Sequence, residues 1–249
     1  VGAPGPRPAC LFIHGSGTSG AEDFGDIANA MASAGIVTLV PAKRNDNYTV
    51  LHRDYPRFAR EYGRSLDVLR GRIGVDPAKT GIYAESEGTW IATVLTQQHP
   101  DLAFAILTSP PVVSGRQQMT LAATNYLTAA GAPDAVKQLI PRITSLGTQR
   151  MGLAYADFDA AKYRRSLTMP LLINYGVKDT AMPVEQGARL EAELPAAEIE
   201  QQIRAGVEHP LVARDFRRVV DVDRRVRRLL DHRVGEQVDP RVEAVAQLV

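Results

Sequence analysis

One cysteine stands in 249 residues, which excludes an internal disulfide and any multi-cysteine metal site. That residue, Cys10, lies in the apolar run Ala9-Cys10-Leu11-Phe12-Ile13 and reads as a buried, inert thiol. Net charge is nearly absent as well: 29 Lys and Arg against 28 Asp and Glu leave +1, so nothing points to nucleic acid or an anionic membrane as the main partner. No apolar stretch approaches the ~18 residues a membrane-spanning helix needs. His-x-His and His-Glu-x-x-His pairs are missing, which speaks against a metallohydrolase. No Gly-Lys-Ser/Thr ending occurs, so the glycine-rich turns carry no P-loop signature of nucleotide binding. The chain begins at Val1 rather than methionine, and a removed signal or anchor segment stays open, as does the compartment.

What is present is ordinary globular material. Apolar residues make up 45% and charged residues 23%, enough for one domain with a full core. Short apolar runs alternate with helical periodicity. Strands are expected at 9–13, 36–40, 80–84, 103–107, 171–175 and, more weakly, 199–203. Helices are expected over 21–34, 53–73, 87–98, near 184–194 and over 211–231. In the second of these, Phe58, Tyr62, Leu66, Leu69 and Ile73 form one stripe. Such alternation predicts an α/β fold, a mostly parallel sheet covered on both faces. Residues 110–168, between Pro110-Pro111 and Pro170, break the rhythm with helical composition and no strand. They read as a helical cap inserted into a core formed by 1–109 and 169–249, the competing reading being ordinary crossover helices.

Ligands of open α/β sheets gather outside the carboxyl ends of the strands, so strand-end residues take precedence. Ala84-Glu85-Ser86-Glu87-Gly88 falls between a strand and a helix, with small residues two places either side of the serine. That is the requirement of a nucleophile elbow, although a serine capping helix 87–98 would fit the same letters. His14-Gly15-Ser16-Gly17 ends the first strand and could aim backbone N–H groups at a developing oxyanion, Ser16 or Gly17 giving one donor and Glu87 the other. His14 reads as a residue that orders this loop rather than a base. Asp179 follows strand 171–175 and His209 follows strand 199–203. A serine hydroxyl needs a base, and the base needs a carboxylate to fix its tautomer. Ser86, Asp179 and His209 come in the chain order that hydrolases built on such a sheet use. Singly, Asp179 could be a turn residue and His209 a surface histidine. His52, His99 and His232 follow no strand. Glu85 and Glu87 read as solvated side chains of a tight turn, and the mixed charges of 211–231 as a solvated helix face.

These motifs, together with Asp76-Pro77-Ala78-Lys79 and Trp90, resemble α/β-hydrolases, within them most the dienelactone hydrolase and prolyl-oligopeptidase-like esterases. The resemblance runs over about residues 9–232. It implies the α/β-hydrolase fold, Ser86 as nucleophile, His209 as general base and acid, and Asp179 as orienting acid. The backbone amides of Ser16 and Glu87 would form the oxyanion hole. Two departures stand out: Ala84 replaces a glycine, and Glu87 puts a carboxylate beside that hole. The function so implied is hydrolysis of a small-molecule carboxylic ester through an acyl-enzyme, without metal, cofactor or nucleic acid. Thioester hydrolysis or acyl transfer by the same triad, and a non-catalytic ligand-binding protein, are the alternatives. Gly17, Leu121, Tyr126, Met151 and Tyr155 are candidates for the substrate pocket, with Leu127 beside them. Oligomeric state is not legible.

Overall fold

The computed structural model describes residues 5–17, 20–44, 46, 48–49, 52–176, 179, 181–183, 185–194 and 199–204. Among the described residues six strands form one sheet: β1 (Arg7–Ile13), β2 (Val37–Leu39), β3 (Val75–Glu85), β4 (Ala105–Thr108), β5 (Leu171–Gly176) and β6 (Ile199–Arg204). They lie in the order β2-β1-β3-β4-β5-β6, and every neighbouring pair is parallel. Parallel strands require long crossovers, which the intervening helices supply. All six expected strands are therefore present. β3 begins earlier than expected because Val75 pairs with Arg7 across a register shift.

The sheet buries both faces, and side chains alternate between them as the pleat demands. Cys10, Phe12, Tyr83, Ile106 and Leu172 point to one side, where Phe24, Ile27 and Met31 of the 3-10 turn Ala21–Phe24 and α1 (Gly25–Ser33) cover them. Leu11, Ile13, Ile82, Leu107 and Ile173 point to the other. That side is covered by α2 (Tyr55–Arg70) and α3 (Glu87–Gln98), with Leu190 of the later α8 (Glu185–Glu193). α2 starts on Asp54, whose side chain accepts from the Arg57 N–H at 2.9 Å, and Pro56 occupies its first turn. Its stripe buries Phe58, Tyr62, Leu66 and Leu69, but Ile73 is fully exposed. The helix ends at Arg70, so Ile73 has left the helical face, a correction to the expected span of 53–73.

Between β4 and β5 the chain forms helices joined by turns and carries no strand. It holds α4 (Gly115–Ala129), α5 (Asp134–Lys137), α6 (Ile140–Arg150) and α7 (Ala161–Arg164). Three hydrogen bonds tie its stem to the core: Trp90 Nε1–H donates to Pro111 O at 2.9 Å, the Tyr175 hydroxyl donates to Pro110 O at 2.7 Å, and the Val112 N–H donates to Gln186 Oε1 at 2.6 Å. Ser114 caps α4 reciprocally with Gln117. Among the described residues no helix is long and apolar enough to cross a membrane. The expected helix 211–231 and the segment 242–249 lie outside the described residues.

Candidate active site

Ser86 sits between the last residue of β3 and the first of α3, with φ 49° and ψ −123°. A side chain with a Cβ is strained there, and the surrounding structure has to hold it. It does so from three directions. The Ser86 N–H donates to Thr108 O at 2.8 Å, bracing the turn against the end of β4. The Ser86 carbonyl accepts from Thr89 N–H at 2.9 Å and from Thr89 Oγ1 at 2.7 Å. Gly88 lets α3 press onto β1: a Cβ there would come within 2.5 Å of His14 O and 2.6 Å of Ile13 O. The Ser86 side chain makes no capping hydrogen bond to α3, so the capping alternative is not what holds this residue.

The turn after β1 is pinned by side chains from elsewhere. His14 is buried, and its Nε2–H donates to Pro41 O at 2.9 Å, the carbonyl being able only to accept. Burial holds its pKa below the ordinary value, and the ring lies 4.7 Å from that of Phe24. The Tyr62 hydroxyl accepts from the His14 N–H at 3.2 Å. Gly15 O accepts from Lys43 Nζ at 2.6 Å, and Gly17 N–H donates to the Tyr48 hydroxyl at 3.0 Å.

Asp179 follows β5. Its Oδ1 accepts from the N–H groups of Ala181 at 2.9 Å and Met182 at 2.8 Å, and its Oδ2 accepts from Ser109 Oγ at 2.8 Å. Ser109, at the end of β4, is the other described non-glycine residue with positive φ, again 49°. Its N–H donates to Asn174 O at 2.7 Å, so this second strained turn is locked to β5. Asp179 is thus held by three donors, one of them a side chain that the sequence did not single out. His209 lies outside the described residues.

A scan of protein-family models and of curated proteins finds no match. Solved structures do match. The α/β hydrolase GrgF from Penicillium sp. sh18 superimposes with a TM-score of 0.58 at 16% identity, over 92% of this chain and 90% of that one. The esterase Pf2001 from Pyrococcus furiosus gives 0.57 at 16%, over 81% and 73%. Rv0554 from Mycobacterium tuberculosis gives 0.56 at 16%, over 81% and 84%. This chain has the α/β-hydrolase fold. At these identities the likeness is one of fold, and chemistry has to be argued from the residues.

Within the α/β-hydrolase fold, one expectation is overturned. Glu87 is not solvated: it is 4% exposed. Its Oε1 accepts from Lys43 Nζ at 3.1 Å and the Tyr48 hydroxyl at 2.8 Å. Its Oε2 pairs with Arg53 and accepts from the Tyr55 hydroxyl at 3.3 Å. A buried carboxylate needs such partners. Burial lowers the pKa of Lys43, with the Glu87 charge opposing that shift, and pushes the Tyr48 phenol up to about 12. The phenol therefore stays a donor to Glu87. Two cations on one carboxylate also answer the concern that Glu87 would bring uncompensated negative charge to the turn.

The residues proposed for a substrate pocket are dispersed in exposure. Tyr126 and Met151 stand mostly in solvent at 72% and 54%, Leu121 is half-buried, and Gly17 is exposed. Tyr155 is buried, its ring 4.7 Å from the Arg53 guanidinium.

Proposed function

We propose that this protein is a serine hydrolase that cleaves a small-molecule carboxylic ester through an acyl-enzyme. The observation that carries the reading is Ser86 at φ 49°, raised on a strand-to-helix turn with its side chain not used to cap the helix. A serine kept in a costly conformation whose hydroxyl caps no helix among the described residues is what a nucleophile requires. Ser86 Oγ attacks the ester carbonyl while His209 takes its proton, and Asp179 fixes the imidazole and stabilises its cation. The tetrahedral oxyanion is met by the backbone N–H groups of Ser16 and Glu87. Collapse expels the alcohol with the proton from His209, and water releases the acid by the same route. No step of this scheme uses a metal or a cofactor.

Three donors on Asp179 support its role, since an orienting acid must itself be oriented. The helices between β4 and β5 serve as a cap over the carboxyl end of the sheet and choose the acyl group. Thioesters and alcohol acceptors remain within reach of the same triad and belong in the substrate panel. The deciding test is labelling with a fluorophosphonate, read by intact mass. Wild type should take one adduct and Ser86→Ala none. A folded wild type that takes no adduct would refute the mechanism and favour a binding protein on this fold.

A further inference from the structure

Ser16 is flanked by two peptide units, and each is held by a different side chain. A peptide is planar and trans, so fixing its carbonyl fixes the direction of its N–H. Lys43 Nζ holds Gly15 O at 2.6 Å and thereby sets the Ser16 N–H. The Tyr48 hydroxyl holds Gly17 N–H at 3.0 Å and sets the peptide on the far side. Both clamps then meet at one atom, Glu87 Oε1, at 3.1 and 2.8 Å. Glu87 begins α3 and follows Ser86 directly, so the carboxylate belongs to the same residue whose backbone N–H faces the oxyanion in the scheme above. Its other oxygen is tied to Arg53 and Tyr55, which stops the carboxylate from turning.

The arrangement is built rather than incidental. Lys43 has no exposed side-chain surface, and its ammonium lies 3.9 Å from the centre of the Tyr48 ring. A lysine is rarely taken wholly out of water, and its removal from solvent requires several partners. Here they are Gly15 O, Glu87 and the face of Tyr48.

We infer that Lys43, Tyr48 and the Glu87 carboxylate are positioning residues that lock the Ser16 N–H to the Glu87 N–H as a single two-donor oxyanion hole. The inference rests on the serine hydrolase reading. None of the three side chains touches the reacting atoms; they act through backbone groups. Their removal therefore weakens transition-state stabilisation and leaves ester binding nearly as it was.

The test uses the full chain with Lys43→Met, Tyr48→Phe and the double variant. Each single change should lower kcat about 10- to 100-fold, the range for a donor displaced rather than deleted, while KM moves far less. The double variant should lose less than the product of the two, because both changes act on Ser16. A second readout separates positioning from general damage. A trifluoromethyl ketone accepts Ser86 Oγ at its carbonyl carbon, passes the serine proton to His209 and leaves a tetrahedral oxyanion in the hole. Its affinity should fall in step with kcat, whereas that of the matching alcohol, which forms no oxyanion, should not. Tyr48→Phe keeps the ring against Phe58 and decides the matter should Lys43→Met unfold. Wild-type kcat and trifluoromethyl ketone affinity in folded variants would overturn the inference alone, provided that wild type takes the fluorophosphonate adduct. Absence of that adduct would overturn the hydrolase reading and this inference together.

Discussion

Ser86→Gly and Ser86→Ala should both abolish turnover, yet they should differ in stability, and the difference measures the strain at the turn. Ser86 has φ 49° and ψ −123°. A residue bearing a Cβ in such a region costs about 1–3 kcal/mol. Alanine keeps the Cβ and therefore keeps the strain. It also removes no capping bond, since the hydroxyl makes none, so Ser86→Ala should stay within about 0.5 kcal/mol of wild type. Glycine relieves the strain but widens the unfolded ensemble, which takes back roughly 0.4–1 kcal/mol. Ser86→Gly should thus be the more stable variant by about 0.5–2 kcal/mol. Urea unfolding reads this as a higher midpoint at equal slope. In a chain of this size the melting temperature should rise by roughly 1–8 °C. Equal midpoints would cap the strain at the roughly 0.4–1 kcal/mol that glycine takes back, and a glycine variant less stable than alanine by that amount would mean that the turn carries none. The argument that Ser86 is held for its chemistry would then lose its support.

Three further outcomes follow from the same geometry. Gly88→Ala places a Cβ 2.5 Å from a backbone oxygen that cannot swing away, and should destabilise by about 1–3 kcal/mol. Gly15→Ala, whose nearest neighbour would be at 3.3 Å, should lose less in the same thermal melt. Ser109→Ala removes one of three donors to Asp179, and kcat should fall about 10-fold, the equivalent of ~1.4 kcal/mol. An unchanged kcat would show that the two backbone donors suffice. His14 supplies a pH dependence of stability. Burial lowers its pKa from 6.5, and Nδ1 has no partner among the described residues, so the folded state resists the second proton. The unfolded chain then binds more protons, and stability should fall as the pH drops below about 6.5 toward the lowered folded value. His14→Gln should flatten that slope in urea titrations run between about pH 7 and pH 5.

Much of the architecture is written in short-range pattern. Apolar runs such as Ala9–Ile13 and Leu171–Tyr175 announce buried parallel strands because both faces of each must be covered. Ser86 and Asp179 stand out as candidates in the sequence because strand ends are where this kind of sheet binds. Ile73 misled because it continues the helical spacing of α2, while the chain has already turned away at Gly71. Glu87 misled for a different reason. Its neighbours in sequence are those of a tight exposed turn, and its partners Lys43, Tyr48, Arg53 and Tyr55 lie 32 to 44 positions upstream. Periodicity carries no trace of such contacts. The only available signal was the crowding of Lys43, Tyr48, Arg53 and Tyr55 into one polar stretch. Ser109 was equally hidden, although its place at the end of β4, before two prolines, fits the strand-end rule that revealed the others.

Helix α3 is buried at every position from Glu87 to Thr96, whereas Val136, Leu139, Ile143 and Leu146 on and beside α5 and α6 remain open to solvent. Mutational drift should therefore be distributed very unevenly. Almost any change in α3 disturbs the core and the serine turn together, so selection leaves that helix little room to vary. The segment between β4 and β5 is tethered at Pro110-Pro111 and again at Pro170, and it can accept new surface residues without disturbing the sheet. In a diversifying lineage the proposed reactive centre would stay fixed while this segment changes, and libraries aimed at new specificity should be confined there.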